Sequence, residues 1–259
     1  MFSVADHLLH IAGESLPRDV DACAAAALLA RGERCRPPVS GAVYGTLLND
    51  RDALAALGGA VNAPPYNAPP DAPILYLKPR NTLAGHGARV VVPGDDGVQV
   101  GASLGIVIGR TAHRVSVDTA LDYVAGYTII ADLSVPHVSV YRPSVRFRAR
   151  DGFCVVGPAV VARHHVADPD RLAITVDVEG EPRFCASTST CIRTVARLLA
   201  DVTDFMTLSP GDVITLGVPH GAPVAAANTR ATLAIANWPL LRIDFIAPDA
   251  AAPAKGATA

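Results

Sequence analysis

The sequence predicts an α+β fold in which a closed or folded-over β-sheet carries few helices. Six short segments rich in β-branched or apolar residues are bounded by glycine, proline or aspartate, a pattern typical of strands. They are residues 74–78, 89–92, 102–108, 127–131, 173–178 and 233–237. With 259 residues, half of them hydrophobic, the chain is long enough to bury one sizeable core.

Helical signals are confined to a few stretches. Residues 51–57 and 116–124 suit short helices, the second with Ser116 as its N-cap. The most convincing helix is 191–205, where apolar residues repeat at helical spacing. Between the first two, the proline-rich segment 63–73 is predicted to form no regular structure. These helices are expected to lie at the edge of the sheet.

The domain organisation follows from where these patterns begin and end. Residues 1–36 are interpreted as an N-terminal extension, partly helical at the Ala/Leu-rich stretch 19–31. A single domain is predicted for residues 37–247, because no linker separates two cores. The tail 248–259, mostly Ala, Pro, Gly and Thr, is expected to be disordered.

Charge and cysteine content exclude several classes of function. The 22 basic and 24 acidic residues nearly cancel, so no footprint for a nucleic acid or an anionic membrane is present. No apolar run approaches the ~20 residues that span a bilayer, and the start lacks a signal-peptide pattern. Five cysteines without CxxC spacing argue against a disulfide framework or a thiolate metal site. We expect a cytoplasmic protein with a small-molecule partner.

Two motifs do not carry the chemistry they first indicate. The segment 101–105, GASLG, matches the GxSxG pattern of a serine nucleophile, but that pattern requires a helix directly afterwards. The residues that follow, IVIG, indicate a continuing strand instead. Adjacent His164 and His165 would point to opposite faces of a strand, so no metal site is predicted there.

Three groups of charged residues are candidates for a site. Lys78 ends an apolar strand, where partial burial favours an ion pair with a substrate carboxylate, although a lysine snorkelling to solvent is the alternative. Asp132 follows the apolar run 127–131 and either binds a hard cation or caps a turn. The third group is a run of four arginines, which indicates a dicarboxylate site or the solvated face of a strand. Its members are Arg142, Arg146, Arg148 and Arg150.

Taken together, these segments resemble the fumarylacetoacetate hydrolase superfamily. The order and spacing match over about residues 43–222. The pairing of Tyr-Arg-Pro with Arg-Asp-Gly-Phe is similar to the isomerase/decarboxylase branch that degrades 4-hydroxyphenylacetate, and within it to the first of two similar halves. The segments that carry the resemblance are LKPRNT at 77–82, residues 103–109 with 125–127 and Asp132, YRPSVRFRARDGF at 141–153, and FMTLSPGD at 205–212.

The resemblance implies a mixed β-roll or barrel-like fold and a reaction on a small di- or tricarboxylate 2-oxo acid. In the family a divalent metal such as Mg²⁺, held by a Glu-x-Glu pair and an Asp, serves as a Lewis acid. Here the two Glu positions fall on Gly101 and Ser103, which leaves Asp132 as the remnant of the site. One carboxylate does not make a protein cage for Mg²⁺, so metal binding is expected to be weak or absent.

Other family positions are retained or lost individually. The resemblance implies catalytic roles for Lys78 and Arg148, and substrate binding is predicted for Arg142, Arg150 and Asp151. The histidine that the family uses as a base falls close to Ala53, and Val218 replaces the hydroxyl residue of a Gly-Thr-Pro-x-Gly loop.

Three functions follow from these matches and losses. The chain is a subunit of the isomerase/decarboxylase that needs a metal-bearing paralogous subunit for turnover. Alternatively, it is a structural or regulatory pseudo-enzyme that forms a homodimer, or a heterodimer with that paralogue. In the third reading it is an independent Mg²⁺-dependent 2-oxo acid hydrolase or isomerase that uses Asp132, water and substrate as ligands.

Overall fold

The computed structural model describes residues 36–137, 139 and 144–248, together with Arg34 and two short strands. Those strands, β1 (His10–Ile11) and β2 (Glu14–Ser15), form an antiparallel pair. The helix predicted at 19–31, the arginine at 142 and the tail beyond 248 lie outside the described residues. Within the described part of the chain, no helix is long and apolar enough to cross a membrane.

The larger of two main sheets is built around two long central strands. Strands β7 (Val98–Ile108) and β8 (Val124–Ser134) run antiparallel over eleven residues each and are buried at nearly every position. The sheet order is β4-β3-β13-β7-β8-β9-β5, with β10 beside β8 and β14 beside β7. The other strands are β3 (Val43–Leu47), β4 (Ile74–Lys78), β5 (Leu83–Gly85), β9 (Cys154–Val156), β10 (Val161–Ala162), β13 (Val213–Thr215) and β14 (Val224–Ala225).

A five-stranded sheet completes the core. Its order is β12-β11-β15-β16-β6. Three of its strands alternate strictly between buried and partly exposed positions, as expected for a sheet with one face on the core. One hydrophobic cluster contains side chains of both sheets. The strands are β6 (Ala88–Val91), β11 (Ala173–Val178), β12 (Phe184–Ser187), β15 (Arg230–Ile235) and β16 (Leu241–Ile246).

In the part of the chain that the structure describes, three α-helices flank the sheets: α1 (Arg51–Ala55), α2 (Val145–Arg148) and α3 (Val195–Phe205). Helix α3 confirms the strongest helical prediction, although it begins four residues later than predicted. The hydroxyl of its N-cap, Thr194, accepts a hydrogen bond from the Arg197 N–H.

One local prediction is wrong. The helix predicted at 116–124 is only a 3-10 turn at Ala120–Tyr123, because strand pairing with β7 already extends to Val124. Residues Val145–Arg148 form helix α2, so Arg146 and Arg148 do not lie on a strand, which was one of the two alternatives for the arginine run. The α+β class with few peripheral helices is confirmed, and strands β4 and β11 have the predicted bounds.

Candidate functional site

The site lies where the two central strands place Asp132 beside Gly101. These residues are direct partners in the antiparallel register, so they share one face of the sheet. Ser103, two residues further along β7, points to the same face. The face that the resemblance assigns to a metal therefore exists, with Asp132 as its carboxylate.

Lys78, the last residue of β4, contacts Asp132 on this face. Its Nζ lies 2.5 Å from Oδ1 of Asp132, and both side chains are completely buried. The same ammonium donates to the carbonyl oxygens of Leu133 (3.0 Å), Phe153 (2.9 Å) and Arg148 (3.2 Å). Protein oxygens thus engage all three donors of the ammonium, which is neither partly buried nor snorkelling as the sequence had indicated.

Tyr76 and Arg148 complete the cluster. The Tyr76 hydroxyl donates to Oδ2 of Asp132. The Arg148 guanidinium lies 4.8 Å above the Tyr76 ring, and its Nη1 is 3.3 Å from the Tyr76 hydroxyl and 3.7 Å from Oδ1 of Asp132. Its Nε donates to the Ser144 hydroxyl at 3.0 Å. Arg148 is therefore held in one orientation by three neighbouring side chains.

The electrostatics of the cluster fix the protonation of its members. Burial by itself raises the pKa of Asp132, but Lys78, Arg148 and the hydrogen bond from Tyr76 outweigh it and hold that pKa below its usual value. Burial and the nearby Asp132 charge raise the pKa of Tyr76 well above its usual value. Asp132 is accordingly an anion and Tyr76 a neutral donor at physiological pH.

The pairing of strand β4 explains why Tyr76 reaches this position. Alternation places Ile74, Tyr76 and Lys78 on one face of β4. Tyr76 is the register partner of Gly45 in β3, and its ring fills the space that a side chain at position 45 would need. Our sequence reasoning missed Tyr76, although its i, i+2 spacing from Lys78 was the signal that could have found it.

The residues present do not fit the divalent metal that the resemblance implies. A Cβ atom on Gly101 would lie 2.7 Å from the Val218 side chain and 2.8 Å from the Asp132 carbonyl oxygen. The Ser103 hydroxyl, fully buried, accepts the Gly217 N–H at 3.1 Å. Among the described residues, no three His, Cys, Asp or Glu side chains come together as metal ligands. Val218 lies where a side chain at position 101 would project, and Lys78 pairs with the Asp132 carboxylate of this face.

We expect Gly101→Ala to lower the free energy of unfolding by about 1–3 kcal/mol, because the added methyl group overpacks a buried strand. Chemical unfolding monitored by fluorescence measures the change. Gly59→Ala is a matched control, since a Cβ atom there meets nothing within 4 Å. Equal stability of the two variants would contradict the close packing of Val218 on Gly101.

A cavity of about 610 Å³ opens beside Arg148, within the size range of small-molecule sites. The guanidinium side chain is 12% exposed there. Its lining includes the polar side chains of Tyr76, Gln99, His137, Ser139, Arg148 and His220. It also includes apolar side chains, namely Leu47, Leu48, Ala53, Ala56, Leu57, Ala60 and Pro65. The cavity therefore combines a fixed cation with hydrophobic side chains.

Asp50 links helix α1 to the loop 217–221, and residues of both segments line the cavity. Its Oδ1 accepts the Ala53 N–H at the start of α1 (2.9 Å) and the backbone N–H of His220 (3.2 Å). The Thr190 hydroxyl donates to its other oxygen. This buried carboxylate therefore ties helix α1 and the loop 217–221 to the same point.

The structure separates the remaining predicted site residues from this cluster. Asp151 is exposed and accepts a hydrogen bond from Asn81 at 2.8 Å, while Arg150 is half-buried. Neither lines the cavity, and the arginine at 142 lies outside the described residues. Lys78, Asp132 and Arg148 are brought together; the substrate-binding roles of Arg142, Arg150 and Asp151 stay predictions.

Acid titration should report the charge of Asp132. A carboxylate whose pKa is lowered in the folded protein adds stability at pH values above its ordinary pKa of 3.8. That stability is lost as the pH falls through the lower pKa of the folded state. We expect the free energy of unfolding, relative to a Lys78→Met/Asp132→Leu variant, to stay constant from pH 7 to 5 and to decline below about pH 4. Urea unfolding at each pH measures it, and a relative gain in acid would contradict the assignment.

A family model described as fumarylacetoacetate (FAA) hydrolase C-terminal matches residues 42–238. The chain belongs to the fumarylacetoacetate hydrolase family. It is 34% identical over 211 residues to a 4-hydroxyphenylacetate degradation bifunctional isomerase/decarboxylase of Salmonella dublin, covering 82% of this chain and 48% of that relative. An Escherichia coli protein of the same description is 34% identical over 203 residues. The chain spans about half the length of the curated relatives it matches.

Solved structures support the same family assignment. A 2-hydroxyhepta-2,4-diene-1,7-dioate isomerase from Mycobacterium marinum is 26% identical, with a TM-score of 0.66 over 83% of this chain and 79% of that one. Fumarylpyruvate hydrolase from Pseudomonas aeruginosa, in complex with Mn²⁺ and pyruvate, is 22% identical, with a TM-score of 0.69 over 82% of this chain and 91% of that one. The second likeness shows the fold alone.

Proposed function

We propose that this chain is a subunit of a 4-hydroxyphenylacetate-type isomerase/decarboxylase, in which it binds an organic acid without a metal of its own. Turnover then depends on a metal-bearing paralogous partner. The observation that carries the proposal is the contrast between two neighbouring sites. Val218 packs where a ligand side chain at position 101 would project and Lys78 pairs with Asp132, while the neighbouring cavity stays open around Arg148.

Arg148 is the group that would bind the acid. Stacking on Tyr76 and the hydrogen bond to Ser144 orient the guanidinium before any ligand arrives. A planar fork held in this way is suited to a carboxylate. The remaining polar side chains of the cavity, such as Gln99 and His220, would contact oxygens of the bound acid.

In this proposal Lys78 acts on Arg148 and Asp132, not on the substrate. Its ammonium balances the buried Asp132 charge and binds the carbonyl oxygen of Arg148. A positive charge supplied by the chain itself then occupies the face where the family places a divalent cation. Lys78 is accordingly a positioning residue for the Arg148 end of the cavity.

Turnover assays of separated and mixed chains test the proposal. The substrates are 2-hydroxyhepta-2,4-diene-1,7-dioate for isomerisation and 5-oxopent-3-ene-1,2,5-tricarboxylate for decarboxylation, with Mg²⁺ present. We expect a mixture with a paralogue that keeps Glu-x-Glu to exceed the summed rates of the two chains, and the Arg148→Met chain to lose this gain. Turnover by this chain alone would favour the independent enzyme, and an unchanged partner rate would favour a non-catalytic pseudo-enzyme.

Mg²⁺ addition gives a separate prediction. Because the metal position is filled by side chains, we expect millimolar Mg²⁺ to leave the thermal midpoint unchanged. A cation present at 100 times its dissociation constant would add about 2.7 kcal/mol of stability. Differential scanning fluorimetry with Mg²⁺ and with EDTA separates the two results, and a rise with Mg²⁺ alone would argue for a metal site on this chain.

A further inference from the structure

A second, smaller cavity of about 250 Å³ adjoins the cavity at Arg148. Leu48, Leu57 and Tyr66 line both cavities. The second cavity is otherwise lined by Val61, Ala68, Pro70 and Ile74. The two spaces therefore share a border of large apolar side chains.

The two cavities together form a groove, and strand β4 runs from its charged end to its apolar end. One face of the strand carries Lys78 in the buried cluster, Tyr76 at the first cavity and Ile74 at the second. From Tyr76 to Ile74 the strand rises by about 7 Å. A ligand anchored near Tyr76 and following β4 would thus move away from charge and toward apolar side chains.

The charge distribution differs along the groove. Arg148 is the only Lys or Arg among the described residues that line either cavity, and none of the described residues lining the second cavity is charged. A second carboxylate placed there would meet no Lys or Arg side chain among the described lining residues. An alkyl or aryl arm would instead be removed from water.

We propose that this groove selects a monocarboxylate with an apolar arm: the carboxylate binds Arg148 and the arm lies over Leu57 toward Ile74. The inference depends on the proposed function only for the anion at Arg148. It makes the preferred ligand of this chain chemically distinct from the dioate named for the Mycobacterium marinum isomerase.

Calorimetric titration of the full chain with matched acids tests the inference. The probes are butanoate, hexanoate and octanoate beside butanedioate, hexanedioate and octanedioate. For the monoacids we expect affinity to rise about fourfold for each added methylene until the groove is filled. Each diacid is expected to bind about tenfold or more weakly than the monoacid of equal length, because its second charge enters the apolar end.

Variants assign the effect to the groove. Leu57→Gln should flatten the dependence on chain length, and Ile74→Thr, a substitution at a position already 38% exposed, should do so for octanoate alone. Leu240→Gln changes an exposed leucine outside both cavities and should leave every affinity unchanged. Diacids that bind as tightly as monoacids would overturn the inference but leave the proposed function intact. Binding of none of the six acids would also overturn the inference, whereas the turnover of mixed chains decides the proposed function.

Discussion

Replacing Lys78 by methionine is expected to lower the free energy of unfolding by about 3–5 kcal/mol. The substitution leaves the Asp132 carboxylate buried without its 2.5 Å ion-pair partner. It also removes the Lys78 donor from the carbonyl oxygen of Leu133 and leaves that of Phe153 with the Leu133 N–H as its donor. Urea unfolding monitored by circular dichroism at pH 7 measures the loss, which should become smaller in acid as Asp132 gains a proton.

The double variant Lys78→Met/Asp132→Leu separates the lost pair from simple misfolding. Removing both charges eliminates the uncompensated anion, so the double variant should recover much of the stability that the single variant loses. Asp132→Asn, which keeps the shape but not the charge, should leave the buried ammonium unpaired and also destabilise the protein. A Lys78→Met protein within about 1 kcal/mol of the wild type would contradict the buried pair.

Much of the fold could be predicted from local sequence because its strands carry their own signals. Strands β4 and β11 end at glycine, proline or charged residues, and their bounds match the prediction. The central strands were underestimated, since β7 continues back to Val98 and β8 on to Ser134. Their ends are fixed by pairing with each other, and such long-range pairing leaves little trace in local composition.

Long-range strand pairing also explains why the helix predicted at 116–124 does not form. Residues 116–124 have a plausible N-cap in Ser116, but Val124 already pairs with Ile108 in the central hairpin. The hydrogen bonds and burial of that hairpin outweigh a weak local preference for helix. The helix predicted at 191–205 is confirmed as α3, because the apolar stripe of this segment supplies the buried contacts of the helix.

The candidate site was predictable one residue at a time but not as a cluster. Lys78 ends one apolar run and Asp132 follows another, which singled them out, yet only the folded sheet reveals that they pair with each other. The packing of Val218 on Gly101 is likewise a long-range contact that the sequence does not display. The degenerate metal site that Gly101 and Ser103 indicate stays a prediction.

Arg148→Met is expected to weaken the binding of a carboxylate about 10- to 150-fold, the equivalent of about 1.5–3 kcal/mol for hydrogen bonds to a charged group. The loss should be similar for hexanoate and hexanedioate, because both would place one carboxylate at the guanidinium. Calorimetric titration measures it. Since the Arg148 side chain is 12% exposed and its ion-pair distance to Asp132 is 3.7 Å, stability should fall far less than in Lys78→Met.

Arg148→Lys provides the sharper control for the same residue. Lysine keeps the charge but lacks the planar fork that stacks on the Tyr76 ring and donates to Ser144. Binding intermediate between wild type and Arg148→Met would show that orientation contributes beyond charge. Unchanged binding in Arg148→Met would contradict the role of Arg148 as the group that binds the acid. Lys78 and Asp132 would still stabilise the sheet in that variant, because stability and ligand binding depend on different members of the cluster.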